Sequence, residues 1–307
     1  MPSPKLATAA WLAVLTSVNA GLLLVVVYCS LGTIRGQMLD TVALTGNWVG
    51  RDRFAVPLNS ALNAVSVASL VLALVAIGLI ALARRRYSLS IMGVVLVAGS
   101  VATTYLLKGY VITRTDFGVD PERAAAGNSL PSGHATAAAA FAVGLVLVLP
   151  PAARGVASLV GATYAALVGI ATLSAGWHRP SDVVASYLIV GGWAAGAGLL
   201  LTLVQQPSAV VTSRDVPGWS LVATLLGGVA LLLSGGIALD YTFTRMTTPI
   251  DEMSPSLLKI GYLGSGMAIA GAAYLMMAVV LTTIHRVVPA LQDRYDHELA
   301  VAKPRRS

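Results

Sequence analysis

Cysteine is almost absent from this chain. Cys29 is the only one in 307 residues, which excludes an internal disulfide and a cysteine-built metal site. Charge is scarce too: 11% of residues are charged, 56% are hydrophobic, and mean hydropathy is +0.79. That balance excludes a soluble protein built on one core and places the chain among helical membrane proteins. Internal repeats and low-complexity segments are missing. The formal charge of +7 does not point to nucleic acid, because the basic residues are spread over short loops and the C-terminal tail. The first apolar segment is too long for a signal-peptide core and lacks a convincing cleavage site, so it reads as a retained span.

Long apolar runs, by contrast, are plentiful. About 20 apolar residues carry a helix across a bilayer, and backbone at that depth has to satisfy its own hydrogen bonds. The charge-free stretches predict an all-α, polytopic transmembrane bundle of about eight spans, at 7–31, 58–83, 88–107, 133–150, 155–176, 181–204, 218–239 and 259–284. Trp11, Trp48, Trp177 and Trp219 fall near span ends, as an aromatic belt requires. With a cytoplasmic N-terminus, eleven Lys and Arg residues lie inside and nine outside. Four of the nine (Lys108, Arg114, Arg123 and Arg179) sit beside polar clusters that account for them. The Arg84–Arg86 run and the basic tail then anchor both termini in the cytoplasm. The segment from 32 to 57 reads either as a polar stretch across the outer interface or as a plain connecting loop.

Two of the four histidines open apolar spans. The first belongs to Pro131-Ser132-Gly133-His134, the second to Trp177-His178-Arg179-Pro180-Ser181-Asp182, and the span count brings both, with Lys108, to the outer face. A helix N-terminus offers unpaired N–H groups and a positive dipole end, glycine lets an anion approach the backbone, and serine adds a hydroxyl. Ser132 is equally well placed as an ordinary helix cap. Pro180 suits the first turn of the sixth span, so Asp182 falls within reach of one ring nitrogen of His178 and leaves the other free. Lys108 and Arg114 would supply fixed positive charge, although cations at span ends also snorkel. His134, His178, Asp182 and Asp116 offer metal donors in principle. The cations Lys108, Arg114, Arg123 and Arg179 crowding the same loops suit a metal-free phosphate site better.

These residues resemble the type 2 phosphatidic acid phosphatase superfamily of membrane lipid phosphatases. The family pattern is lysine, six residues, Arg-Pro; then Pro-Ser-Gly-His; then Ser-Arg, five residues, His, three residues, Asp. Residues 131–134 match the second part in full, and His178 and Asp182 match the end of the third. The resemblance spans roughly 58–204. It implies a phosphatase core at 1–206, with the motifs within 108–182, two additional transmembrane helices at 207–285, and a basic cytoplasmic tail at 286–307. It further implies His178 as the nucleophile, Asp182 orienting it, and His134 as the general acid. Lys108, Arg114, Ser132 and Gly133 would cradle the phosphate, without a metal or other cofactor. The chain departs from the pattern twice. Lys108 to Arg114 is one residue short and ends in Thr115 where proline is usual, and the Ser-Arg pair falls on Ala171 and Thr172. Arg179 or Arg123 is the expected substitute for the absent arginine.

The expected function is hydrolysis of a lipid phosphate or diphosphate, polyprenyl or phosphatidic acid-like, at the outer face of a plasma membrane. A phosphotransferase of the same fold and a non-catalytic lipid-phosphate carrier remain as alternatives. The expected partners are the lipid substrate and the bilayer, with no nucleic acid.

Overall fold

Proline and the membrane together decide where these helices begin and end. The computed structural model describes residues 4–50, 75, 77–79, 87–120, 127–204 and 218–287, and every regular element among them is helical. The helices are α1 (Pro4–Leu31), α2 (Ile34–Thr45), α3 (Tyr87–Leu106), α4 (Gly133–Val148), α5 (Pro151–Ser174), α6 (Pro180–Val204), α7 (Gly218–Arg245) and α8 (Pro255–Val287). A π-turn, Leu107–Val111, extends α3, and a short 3₁₀ turn, Ile250–Glu252, precedes α8. Leu149, before Pro150, is extended, which stops α4, and Pro151 starts α5 with φ already set.

Six helices are long and apolar enough to cross a membrane: α1, α3 with its π-turn, α5, α6, α7 and α8. The 16-residue α4 is apolar but shorter. The chain is a multi-pass membrane protein with an all-α bundle. The expected second span, 58–83, lies outside the described residues except for Val75, Ile77, Gly78 and Leu79. These four are helical, and Ile77 packs against Gly93 and Gly144. Arg51, Arg53, the Arg84–Arg86 run and the tail from residue 288 also lie outside them.

The small residues Ala135, Ala138, Ala139, Ala140 and Ala142 let α4 sit at the centre, against α3, α5 and α6. Consecutive spans run antiparallel, so the end of one gathers with the start of the next at a common face. There Thr104 of α3 bonds Thr136 of α4 at 2.9 Å, Ser186 of α6 donates to Ser132 O, and Ser174 of α5 bonds Tyr262 of α8 at 2.6 Å. At the opposite face Lys5 of α1 reaches Leu203 O of α6.

The segment expected as loop at 32–57 contains α2. Thr33 caps it, its Oγ1 accepting from Gly36 N at 3.0 Å. The helix then buries Gln37, Met38, Asp40, Thr41, Val42, Ala43 and Leu44 in an almost unbroken run. That run mixes polar and apolar side chains, so no 3.6-residue apolar stripe announces a helix. On its apolar side Met38 and Val42 join Met246, Ile250, Met253, Leu257 and Leu258, from the α7–α8 connection and the start of α8. Gly46 allows the closest approach, since a Cβ there would come within 2.3 Å of Leu258 O.

Candidate active site

The first cluster is a helix start. Ser132 is the N-cap of α4, its Oγ accepting from Ala135 N at 3.3 Å, and its side chain is fully buried. The backbone N–H of Ser132 donates to Asp182 O at 3.0 Å, which fastens the start of α4 to α6. Gly133 is exposed, with nothing within 4 Å of where a Cβ would stand. The side of Gly133 is therefore open, beside the first turn of α4. His134, half-buried in the first turn, lies with its ring centroid 5.4 Å from that of Trp177.

The second cluster is a helix end followed at once by a helix start. Gly176, at φ 75°, closes α5: Gly176 N donates to Leu173 O and Trp177 N to Thr172 O, both at 3.0 Å. This is the paired bonding of a Schellman cap. His178 N also donates to Thr172 O, at 3.2 Å, so the turn aims the histidine back over the bundle. Arg179 then stands as N-cap of α6, Pro180 as its first residue and Asp182 as its third. Asp182 Oδ2 reaches back to accept from Arg179 N at 2.9 Å, the return arm of a capping box. The same oxygen lies 3.1 Å from His178 Nδ1 and accepts from Ser129 Oγ at 2.7 Å. An ionised carboxylate only accepts, so His178 Nδ1 carries a proton, and in the neutral imidazole the lone pair is on Nε2. His178 and Asp182 are both buried, and Asp182 Oδ1 has no hydrogen-bond partner among the described residues.

Beside the histidines a cleft of about 330 Å³ is lined by Lys108, Ser129, Trp177 and Arg179, with Leu44 of α2 at its wall. Lys108 is exposed, in the π-turn that ends α3. Arg179 is buried and already engaged: Nη2 donates to Asp120 at 3.0 Å and Nη1 to Ser129 Oγ at 3.4 Å, while Nε has no partner among the described residues. Arg114 is half-buried and donates to Gln37 Oε1 at 3.3 Å. Burial first, then Arg179, lowers its guanidinium from the usual range, and Asp40, Asp182 and Asp120 oppose that. It stays charged at any physiological pH. Arg123 lies outside the described residues. At the position of the absent motif arginine, Thr172 is fully buried and turns its hydroxyl onto Gly169 O. Asp116 accepts from Gly118 N in its own turn. Among the described residues no group of three or more His, Cys, Asp or Glu side chains is placed to hold a metal ion.

Four polar residues that the motifs do not contain complete the site. Ser129 holds Asp182, and Asp120 pairs with Arg179. From α2, Gln37 donates to Leu31 O and Thr115 O while accepting from Arg114. Asp40 accepts from Ser181 N at 3.3 Å and from Ser181 Oγ. Only Ser129, two residues before Pro131, adjoins a motif. The others are visible in the sequence only as polar residues in a charge-poor chain.

The three motif segments thus converge on one face, with Lys108, Ser129, Trp177 and Arg179 lining one cleft and His178 held by Asp182. Residues 95–207 match the family model of the PAP2 superfamily. The match takes in α3 from residue 95, the Pro131–His134 turn and all of α6, and it agrees with the resemblance carried by the motifs. The match covers 113 of the 307 residues, and it is a likeness to a superfamily whose chemistry is phosphatase or phosphotransferase chemistry on phosphate esters. No curated protein and no solved structure matches the chain.

Proposed function

We propose that the protein is a membrane lipid phosphatase that works through a phosphohistidine. The observation that carries this reading is the bond from His178 Nδ1 to Asp182 Oδ2, which fixes the tautomer with Nε2 unprotonated. Nε2 attacks phosphorus, the N–P bond forms, and the P–O bond to the lipid alcohol or inner phosphate breaks. His134, at the start of α4 with its ring beside that of Trp177, gives its proton to the leaving oxygen. Water then gives a proton to the now neutral His134 and attacks the phosphohistidine; the N–P bond breaks, phosphate departs, and both histidines return to their starting states. The amides beside Gly133, with Lys108, Arg114 and the Nε of Arg179, supply fixed positive charge around the phosphoryl oxygens. Ser132, buried as a cap, serves by setting the direction of those amides.

The substrate is a lipid phosphate or diphosphate, polyprenyl or phosphatidic acid-like, and the site faces outward from a plasma membrane whose cytoplasmic side holds both termini. α7 and α8 lie outside the matched region and brace α2 over the site.

The test is release of inorganic phosphate from a panel of lipid phosphates in detergent with EDTA, comparing the wild type with His178→Ala. Release that persists in EDTA and vanishes in the variant supports the reading. Equal release by both proteins would overturn it, and phosphate recovered on an added alcohol would make the enzyme a transferase.

A further inference from the structure

The catalytic aspartate sits on a helix whose own cap lacks a side-chain acceptor. An N-cap side chain ordinarily accepts from the N–H of the second or third helical residue, which is why Ser, Thr, Asp and Asn are preferred there. α6 is capped by Arg179, which only donates, and its first residue, Pro180, has no N–H. The orphan donor is the N–H of Ser181, next to Asp182. The acceptor comes from another element. Asp40 of α2 takes the Ser181 N–H with Oδ1 and the Ser181 hydroxyl with Oδ2.

Asp40 is itself buried, 7% exposed. The charged groups around it are Asp182 and Arg179 on α6 and Arg114 on the segment after α3. A serine or asparagine at this position would accept the Ser181 N–H without burying a carboxylate beside a second one, but neither offers a second acceptor oxygen for the Ser181 hydroxyl. Simple capping therefore does not account for the choice of aspartate. The carboxylate is fixed on both sides. Gln37, one turn earlier on α2, is tied to Leu31 O and Thr115 O, and Met38 and Val42 are packed under the α7–α8 connection.

We propose that Asp40 is a positioning residue for the catalytic pair: from α2 it caps α6 through Ser181 and so fixes Asp182 against His178. This rests on the reading of His178 as nucleophile. It also gives α2, and the α7–α8 hairpin packed against it, a share in catalysis that the motif residues do not disclose.

The test uses the full-length protein in detergent, with Asp40→Ala, Asp40→Asn, Ser181→Ala and the double variant Asp40→Ala/Ser181→Ala. Two quantities are read: the kcat and KM of phosphate release, and the downfield proton resonance of His178 Nδ1–H, assigned by its loss in His178→Ala. The resonance needs no turnover. Asp40→Ala should lower kcat roughly tenfold with KM unchanged, the scale of one lost hydrogen bond of about 1.4 kcal/mol. It should also shift or broaden the resonance. Ser181→Ala should do the same to a smaller degree, the double variant should be no worse than Asp40→Ala, and Asp40→Asn, which keeps one acceptor oxygen, should recover part of the loss. Wild-type kcat and an unmoved resonance in Asp40→Ala would overturn the proposal, as would losses that add in the double variant or that fall on KM alone. Should Asp40→Ala fail to fold, Ser181→Ala decides on the same two readouts. A wild type without phosphatase activity whose resonance still moves in Asp40→Ala would sink the proposed function and keep the positioning.

Discussion

A histidine attacks phosphorus only from a nitrogen that carries no proton, and in His178 the partner of Nδ1 decides which nitrogen that is. Asp182→Asn keeps the shape of the carboxylate but not its restriction to accepting, so it should lower kcat by about 10²–10⁴-fold. A phosphate-release assay on folded, detergent-purified protein checks this. Gly133→Ala tests the other half of the site. Its Cβ meets no neighbour within 4 Å, so the thermal midpoint should stay put. On the proposed function the methyl group intrudes on the phosphate at the start of α4, and KM should rise about tenfold, or about 1.4 kcal/mol. At this scale the sequence was readable for a clear reason. Burying or half-burying a polar side chain at a membrane edge is costly, so two histidines, a serine–glycine pair and an aspartate at span ends mark a site. Thr172 was readable as a departure from the family pattern. Ser129, Asp120 and Gln37 were not readable, because what brings each of them to the candidate site is a partner 53, 59 or 77 residues away.

Among the elements, α2 is the one the sequence concealed. Its buried run mixes Gln, Met, Asp, Thr and Val; Gln37 and Asp40 are buried against partners on other segments, and Thr41 turns its hydroxyl onto Gln37 O in its own helix. Burial pushes the Asp40 carboxyl up from 3.8 to about 6, with Asp182 adding to the rise and Ser181 and Arg179 opposing it. Between about pH 4 and pH 6 the folded protein therefore keeps a proton that the unfolded chain releases. Stability falls as pH rises through that window and levels off above it, by about 3 kcal/mol in this one contribution. Asp40→Asn removes the ionisation. It should unfold at a higher temperature than the wild type at pH 7.5, with the difference shrinking towards pH 4, while its kcat stays below that of the wild type. Scans at both pH values, run beside the activity assay, would expose the opposite ordering. Gly46→Ala should act on the same helix by a different route. The added Cβ would lie 2.3 Å from Leu258 O, so α2 must lift from α8, lowering both the thermal midpoint and the turnover.

At the scale of the whole molecule, apolar run length predicted the helices well, because lipid leaves the backbone no alternative. The faces at which they end followed from counting crossings. Which side of the membrane holds the site rests on charge placement, and a cysteine reporter tests it. In a Cys29→Ser background, Thr247→Cys introduces an exposed thiol in the α7–α8 connection at the site's end of the bundle. A membrane-impermeant maleimide should label it on intact cells; labelling only after lysis would turn the protein over. The short central helix bears on how the substrate is met. α4 has 16 residues, a length of about 24 Å against a hydrocarbon core of about 30 Å. A helix that short covers less than the hydrocarbon core, whereas the phosphate of a lipid lies in the headgroup layer outside that core. On the proposed function, therefore, either the substrate headgroup dips towards the Gly133 end of α4 or the bilayer thins around the bundle there.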